Sequence, residues 1–165
     1  MICSILAATR LGGIGNKGTL PWPHNKEDMK WFAQHTTNNI VVMGRNTWED
    51  PKMPKPLPNR INYVVSGHHV AQQYQHLVKW IPSDAVDNIR RIQNNNKSKD
   101  VYIIGGKQLY ETTESLVERV YLTRMKGNYW CDTQISLDRY LSCFQISSVS
   151  PGNNCTYEIW NRVIF

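Results

Sequence analysis

Two apolar runs in this chain, Ile40–Gly44 and residues 101–106 (Val-Tyr-Ile-Ile-Gly-Gly), end in glycine and pass at once into residues of helical character. A short apolar run without polar alternation is a strand buried on both faces, the kind that parallel sheets use. Parallel neighbours cannot be joined by a tight turn, so a chain built this way returns through helices. The alternation recurs along the sequence. Ile2–Thr9 and residues 61–66, 77–81 and 120–125 are further strand-like stretches. Between the first two strands, Asn25 stands three residues before Asp28, which is capping-box spacing, and Met29, Phe32 and Ala33 follow at i, i+3 and i+4. That spacing predicts an amphipathic helix. A short helix is expected over 45–49, stopped by Pro51, and another capped by Ser83 with Val86, Ile89 and Ile92 turned inward. Asp84 and Asp87 near the start of that helix, and Arg90-Arg91 later, suit its dipole. Residues 140–163 read as a hairpin turned at Pro151-Gly152-Asn153-Asn154. The fold class is therefore α/β, a mainly parallel sheet with an antiparallel edge, and such sheets bind ligands at the carboxyl ends of their strands.

With 165 residues, 41% of them hydrophobic and 19% charged, the chain reads as a single domain over residues 1–165. A chain of this length buries roughly 70% of its unfolded surface and needs neither disulfide nor metal to stand. No apolar run approaches the ~20 residues that span a bilayer, so no membrane partner is expected. Residues 1–9 lack a basic n-region and a long h-region, which makes them a first strand and a cytoplasmic location the expectation. Cys3, Cys131, Cys143 and Cys155 show no C-x-x-C pair and read as reduced thiols, and the five histidines show no H-E-x-x-H. No metal site is expected. The net charge of +6 admits nucleic acid, an acidic surface or small anionic ligands. Its densest groups, Arg90-Arg91 and Lys97 with Lys99, are not interleaved with aromatics as a stacking platform is, which argues against nucleic acid.

Gly13-Ile14-Gly15-Asn16-Lys17-Gly18 matches G-x-G-x-x-G, but Leu20-Pro21-Trp22-Pro23 follows where a dinucleotide fingerprint needs a helix. A glycine-rich loop over a pocket is the better reading. Pro51-Lys52-Met53-Pro54 is P-x-x-P, read as a rigid connector inside the domain. Asp28 lies beside Met29 and i, i+4 from Phe32, at the edge of the apolar helix face. It is either a helix-start carboxylate or, if it faces a pocket, a partly desolvated acid suited to an amidine-like ligand. Gly105-Gly106 before a helix, and Gly44-Arg45-Asn46-Thr47 at another strand end, are two anion-ready turns, which suggests a ligand with phosphates at two places.

In order along nearly the whole chain, these residues resemble dihydrofolate reductase. The resemblance is carried by Leu6-Ala7-Ala8, Ile14-Gly15, Leu20-Pro21-Trp22, Asp28 with Trp31-Phe32, Val42-Met43-Gly44-Arg45 with Thr47-Trp48-Glu49, Pro56-Leu57-Pro58-Asn59-Arg60, Ile104-Gly105-Gly106, Tyr110, Tyr121-Leu122-Thr123 and Asp132-Thr133. It implies an eight-stranded, mainly parallel mixed sheet with an antiparallel C-terminal hairpin and about four flanking helices. It also implies hydride transfer from the nicotinamide C4 of NADPH to C6 of dihydrofolate, with protonation at N5, by a monomer. On this resemblance Asp28 binds the 2-amino and N3 edge of the pterin, Thr123 steadies it, and Trp22 holds an ordered water and walls the pocket. Leu6, Ala8, Phe32, Leu57 and Ile104 line the substrate, and Arg60 grips its glutamate α-carboxylate. Ala8, Ile14, Gly15 and Leu20 flank the nicotinamide, while Gly44, Arg45, Asn46, Thr47 and Ser66 take cofactor phosphates and the adenosine end. Gly105-Gly106, expected as a cis peptide, meets the pyrophosphate with Lys107, Gln108, Leu109 and Tyr110. Asp132 anchors the loop that contains Gly15.

Some positions depart from the family pattern. Lys107 and Gln108 stand where a third glycine and a basic or small residue are commoner, and Gly67 replaces a basic or hydroxyl residue, with His68 or His69 available to compensate. Gly12-Gly13 stand where bulkier residues are usual, predicting a mobile loop whose amides exchange faster than those of the central strands. The competing functions are a pyrimidine reductase of riboflavin synthesis and a non-catalytic basic binding module.

Overall fold

The computed structural model describes residues 1–68 and 71–163. Its strands are β1 (Ile2–Thr9), β2 (Gly13–Gly15), β3 (Ile40–Gly44), β4 (Ile61–Val65), β5 (Lys79–Ile81), β6 (Val101–Ile103), β7 (Arg119–Met125), β8 (Thr133–Gln134), β9 (Phe144–Gly152) and β10 (Cys155–Arg162). The helices are α1 (Lys26–Thr36), α2 (Arg45–Trp48), α3 (Ala85–Asn95), α4 (Lys107–Thr113) and α5 (Leu137–Tyr140). Eight strands form one sheet in the order β5-β4-β3-β6-β1-β7-β10-β9. β10 runs antiparallel to β7 and β9, and the other pairings are parallel. β2 and β8 make a separate antiparallel pair.

The glycine-terminated runs sit at the centre of this sheet because both their faces are covered. Ile40, Val41, Val42 and Met43 have no exposed surface. Alternation divides them: Ile40 and Val42 join Leu6, Ile103, Ile89 and Ile92 in one core, while Val41 and Met43 join Ile5, Tyr102 and Tyr121 in the other, with Trp31 and Phe32 of α1 packed against it. At the opposite extreme, residues 145–151 of β9 are all exposed, which fits an edge strand.

Several local expectations are corrected. Asn25 does cap α1, accepting from the Asp28 amide at 3.0 Å, but Asp28 does not complete a capping box because its carboxylate is engaged by β7. Ser83 is not the cap of α3; that position is Asp84, in the left-handed region at φ 52° and without a side-chain cap bond. Ile89 and Ile92 are buried as expected, whereas Val86 is only partly so. Pro151 and Gly152 belong to β9, so the hairpin turns on Asn153-Asn154 alone, with Asn154 at φ 57°. β5 keeps only the last three residues of its expected range. The extra helix α5 is one turn, capped by Ser136.

The proline-rich connector is held by one side chain. Asn62, 1% exposed, accepts from the Leu57 amide at 3.0 Å and donates to the Leu57 and Arg60 carbonyls at 3.0 and 3.1 Å. Asn62→Ala leaves three main-chain groups without partners, which costs about 2 kcal/mol. We expect a lower urea midpoint with an unchanged slope; an unaltered midpoint would show that water replaces the amide.

Candidate functional site

At the carboxyl ends of the parallel strands lies a cleft of ≈ 1910 Å³. A pocket for one small molecule has a volume of roughly 300–1,000 Å³, so this space admits two ligands side by side. Its floor is apolar: Ile5 and Leu6 of β1, Phe32 of α1, Leu57 and Ile104. Into that floor projects one carboxylate. Asp28 accepts a hydrogen bond from the Thr123 hydroxyl at 2.8 Å, across from α1 to β7. Thr123 is 1% exposed, so this partner is fixed by the sheet rather than by solvent. Burial pushes the Asp28 carboxyl above its ordinary value, the Thr123 hydroxyl opposes the rise, and the charge of Glu27 adds to it. Trp22, 4% exposed, closes the wall beside it, edge-on to Tyr129 at 6.1 Å.

The other half of the cleft is built from the two glycine turns. The Gly105-Gly106 peptide is cis, and Gly105 sits at φ +123° with its carbonyl accepting from the Gly44 amide at 2.8 Å. A Cβ on Gly105 would lie 3.2 Å from the Thr47 hydroxyl and 3.3 Å from that of Tyr110, so the position is tight as well as left-handed. Gly106 and Gly44 are the N-caps of α4 and α2, and neither helix start has a side-chain cap bond. Their free N–H groups face the cleft together with Lys107, Gln108, Arg45, Asn46 and Thr47. Arg45 is paired with Glu49 at 2.9 Å. Ser66 and His68 line the same end, the Ser66 hydroxyl accepting from the His68 amide, while Gly67 has open space where a side chain would stand. His69 lies outside the described residues.

The glycine loop joins the cleft through Asp132. The Asp132 amide donates to the Gly15 carbonyl at 3.0 Å, and its carboxylate accepts from the Lys17 amide at 2.8 Å and the Thr133 hydroxyl at 2.9 Å. Those bonds hold the Asp132 carboxyl below its usual range. Gly12 and Gly13 are buried and tied to Thr9 by their amides, so the structure explains them by close packing of backbone rather than by slack. Ile14, Gly15 and Leu20 line the cleft, as expected.

Two expected site residues fall elsewhere. Ala8 has no exposed surface and is not in the cleft lining; it belongs to the core that holds Ile40 and Val42, while Ala7 borders the cleft with Ile5 and Leu6. Arg60 is not in the cleft lining either. Its guanidinium donates to the Thr36 hydroxyl at 2.8 Å and the Pro58 carbonyl at 2.9 Å, lies 5.8 Å from the Phe32 ring centroid, and lines a small neighbouring pocket. Every other expected residue, including Ser66, Leu109 and Tyr110, borders the cleft. Met53 and Val86 were not anticipated there; nothing short of tertiary contact marks them. Among the described residues no group of three His, Cys, Asp or Glu side chains could hold a metal.

Comparison with known proteins agrees with this geometry. Residues 1–156 match the family model described as dihydrofolate reductase. The chain is 33% identical over 162 residues to the type 9 dihydrofolate reductase of Escherichia coli, covering 94% of this chain and 90% of that protein. It is 31% identical over 178 residues to the dihydrofolate reductase of Sus scrofa, covering 96% of each. Among solved structures, a dihydrofolate reductase from Enterococcus faecalis complexed with NADP(H) and RAB-propyl superposes with a TM-score of 0.81 at 26% identity, over 98% of this chain and 96% of that one. A match that runs from the first strand into the last leaves one conclusion: the chain belongs to the dihydrofolate reductase family and is an oxidoreductase.

Proposed function

We propose that this protein reduces 7,8-dihydrofolate to 5,6,7,8-tetrahydrofolate with NADPH, in one-carbon and thymidylate metabolism. The observation that carries the reading is the Asp28 carboxylate, desolvated on an apolar floor and held by the Thr123 hydroxyl. The pterin edge offers two donors, N3–H and the 2-amino group, and a carboxylate with two oxygens accepts both in parallel. The aromatic ring of Phe32 and the side chains of Ile5, Leu57 and Ile104 take the flat apolar remainder.

The residues of the second half fit NADPH. Two uncapped helix starts and an open glycine cradle suit a pyrophosphate, and Arg45, Thr47 and Ser66 at the far end suit the adenosine 2′-phosphate. When bound, NADPH supplies the hydride from its nicotinamide C4 to the pterin C6. The chain's own work is to orient and to manage the proton. Ala7, Ile14 and Leu20 border the space between the two halves, and the Asp132 contact holds Gly15 and Lys17 over it. As an anion on an apolar floor, the Asp28 carboxylate favours the substrate protonated at N5. The reading takes residues 1–165 as one domain acting as a cytoplasmic monomer. No helix among the described residues is long and apolar enough to cross a membrane.

The test is the loss of NADPH near-ultraviolet absorbance on adding dihydrofolate. Rapid loss, with much slower loss when NADH is substituted, is expected. NADPH binding without turnover, accompanied by reduction of a ribosylated pyrimidine, would transfer the chain to the riboflavin pathway.

A further inference from the structure

The Asp28–Thr123 bond joins α1 to β7, and a single turn, Asn153-Asn154 between β9 and β10, is tied to both of those elements. At the start of α1, the Asn25 side-chain amide donates to the Asn153 carbonyl at 3.0 Å, and Oε2 of Glu27 accepts from the Asn153 amide at 3.1 Å. Just past the end of β7, the Lys126 amide donates to the Asn154 carbonyl at 2.8 Å. The other oxygen of Glu27 is placed as closely. A Cβ at Gly152 would stand 2.8 Å from Oε1 of Glu27, 2.8 Å from the Cys155 thiol and 2.4 Å from Cε2 of Tyr157, so glycine is what lets this carboxylate lie against the hairpin. Tyr157 stands opposite Thr123 in the β7–β10 pair, and their side chains share one face of the sheet. Its hydroxyl is buried and makes no aligned hydrogen bond of its own.

These groups also act on one another through charge. Burial pushes the Tyr157 phenol up, and the Cys155 thiol, the Glu27 carboxylate and the Asp28 charge push it further. Burial likewise raises the Cys155 thiol; the Tyr157 phenol and Lys126 oppose the rise, while Asp28 and Glu27 add to it. With the Thr123 hydroxyl, they are the groups that face the Glu27–Asp28 pair from β7, β10 and the residue after β7. Glu27 itself is exposed and outside the cleft lining, so it acts on a bound ligand only through its neighbour. We propose that Glu27 is a positioning residue for the Asp28 carboxylate: its hold on the Asn153 amide fixes the first turn of α1 against the C-terminal hairpin, and its charge stands behind Asp28, outside the cleft. The inference rests on the reading of the cleft as the dihydrofolate site, in which Asp28 orients the pterin.

The experiment compares the wild-type protein with Glu27→Gln, which keeps an acceptor for the Asn153 amide and loses the charge, and with Glu27→Ala, which loses both. In the unliganded proteins the carbon-13 carboxyl signal of Asp28, assigned by its absence from Asp28→Asn, is followed over a pH series. A like charge nearby disfavours ionisation, so the Asp28 titration is expected to move to lower pH in both variants, and the difference from wild type to shrink in high salt. In turnover of dihydrofolate, Glu27→Ala is expected to lose about tenfold in kcat/KM through a misplaced Asp28, with Glu27→Gln restoring it to within about twofold of wild type. An Asp28 titration that is the same in all three proteins overturns the proposal, since a merely structural Glu27 leaves it unmoved. So does a kcat/KM in Glu27→Ala equal to that of the wild type. Absence of wild-type turnover is a different failure, overturning the reading of the cleft, and the titration of the unliganded proteins still decides whether Glu27 acts on Asp28.

Discussion

Replacing Asp28 with asparagine is expected to lower kcat/KM for dihydrofolate at pH 7 by about 10²- to 10⁴-fold, the range for removal of a group that manages a proton in the transition state. Asparagine is nearly isosteric and its carbonyl still accepts the bond now given at 2.8 Å by Thr123, so the geometry survives while the charge does not. The loss is therefore pH-dependent. As the medium becomes acidic enough to protonate the substrate unaided, the variant recovers and the two profiles approach one another. Stability moves the other way. Because burial raises the Asp28 pKa, the folded protein holds this proton more tightly than the unfolded chain does. The group's stabilising contribution is present below the unfolded value near 4 and is lost as pH rises through the higher folded value. At neutral pH the ionised carboxylate is a burden on the fold, and Asp28→Asn removes it. We expect the variant to gain about 1 kcal/mol at pH 7, or roughly 2–4 °C in Tm, with the gain vanishing in acid. Thermal melts of both proteins over a pH series check the sign: a variant that melts lower at pH 7 would mean that the carboxylate is solvated and the site has been misread.

How much of this was legible in the sequence depends on the range of the interaction that decides each feature. The central strands were legible because Ile40 to Met43 and the run before Gly105 are buried on both faces, and apolar identity is enough to say so. The same property hid the register of β1. When both faces are apolar there is no period-two signal to tell Ala7 from Ala8, and only the folded sheet puts Ala7 in the cleft lining. Asp28 was visible as an acid on the edge of an apolar helix face, but its two readings, cap or pocket, separate only when Thr123, 95 residues away, takes the carboxylate. Arg60 shows the limit most plainly. Its type announces an anion, whereas its direction is set by Thr36 and Phe32 on α1, which hold the guanidinium beside the cleft lining rather than in it.

Gly12 extends that lesson to a second large effect, since what demands glycine there lies 123 residues along the chain. A Cβ at Gly12 would sit 2.0 Å from the carbonyl oxygen of Ile135, an impossible approach to a backbone atom that cannot swing aside. The position is also left-handed, at φ +88°. The pair is bonded as well as close: the Ile135 amide donates to the Gly12 carbonyl at 2.9 Å, and from there Gly13 pairs with Gln134 and Gly15 with Thr133, leading to the Lys17 amide on Asp132. Gly12→Ala must therefore part the two backbones at the root of the β2–β8 ribbon, which loosens the loop that borders the cleft. Combining backbone strain with broken main-chain pairing, we expect a loss of about 3–5 kcal/mol by chemical denaturation, or local detachment of the ribbon with faster hydrogen exchange at residues 13–17 and 132–135. Either way KM for NADPH rises and kcat/KM falls at least about tenfold, because the loop no longer holds Ile14 and Gly15 against the ligands. Gly18→Ala is the control. Gly18 shares the left-handed conformation at φ +79° but has open space around it, so only the backbone penalty of about 1–2 kcal/mol applies. Equal stability of the two variants would refute the packing argument, and it would restore the view that Gly12 and Gly13 serve the loop through mobility.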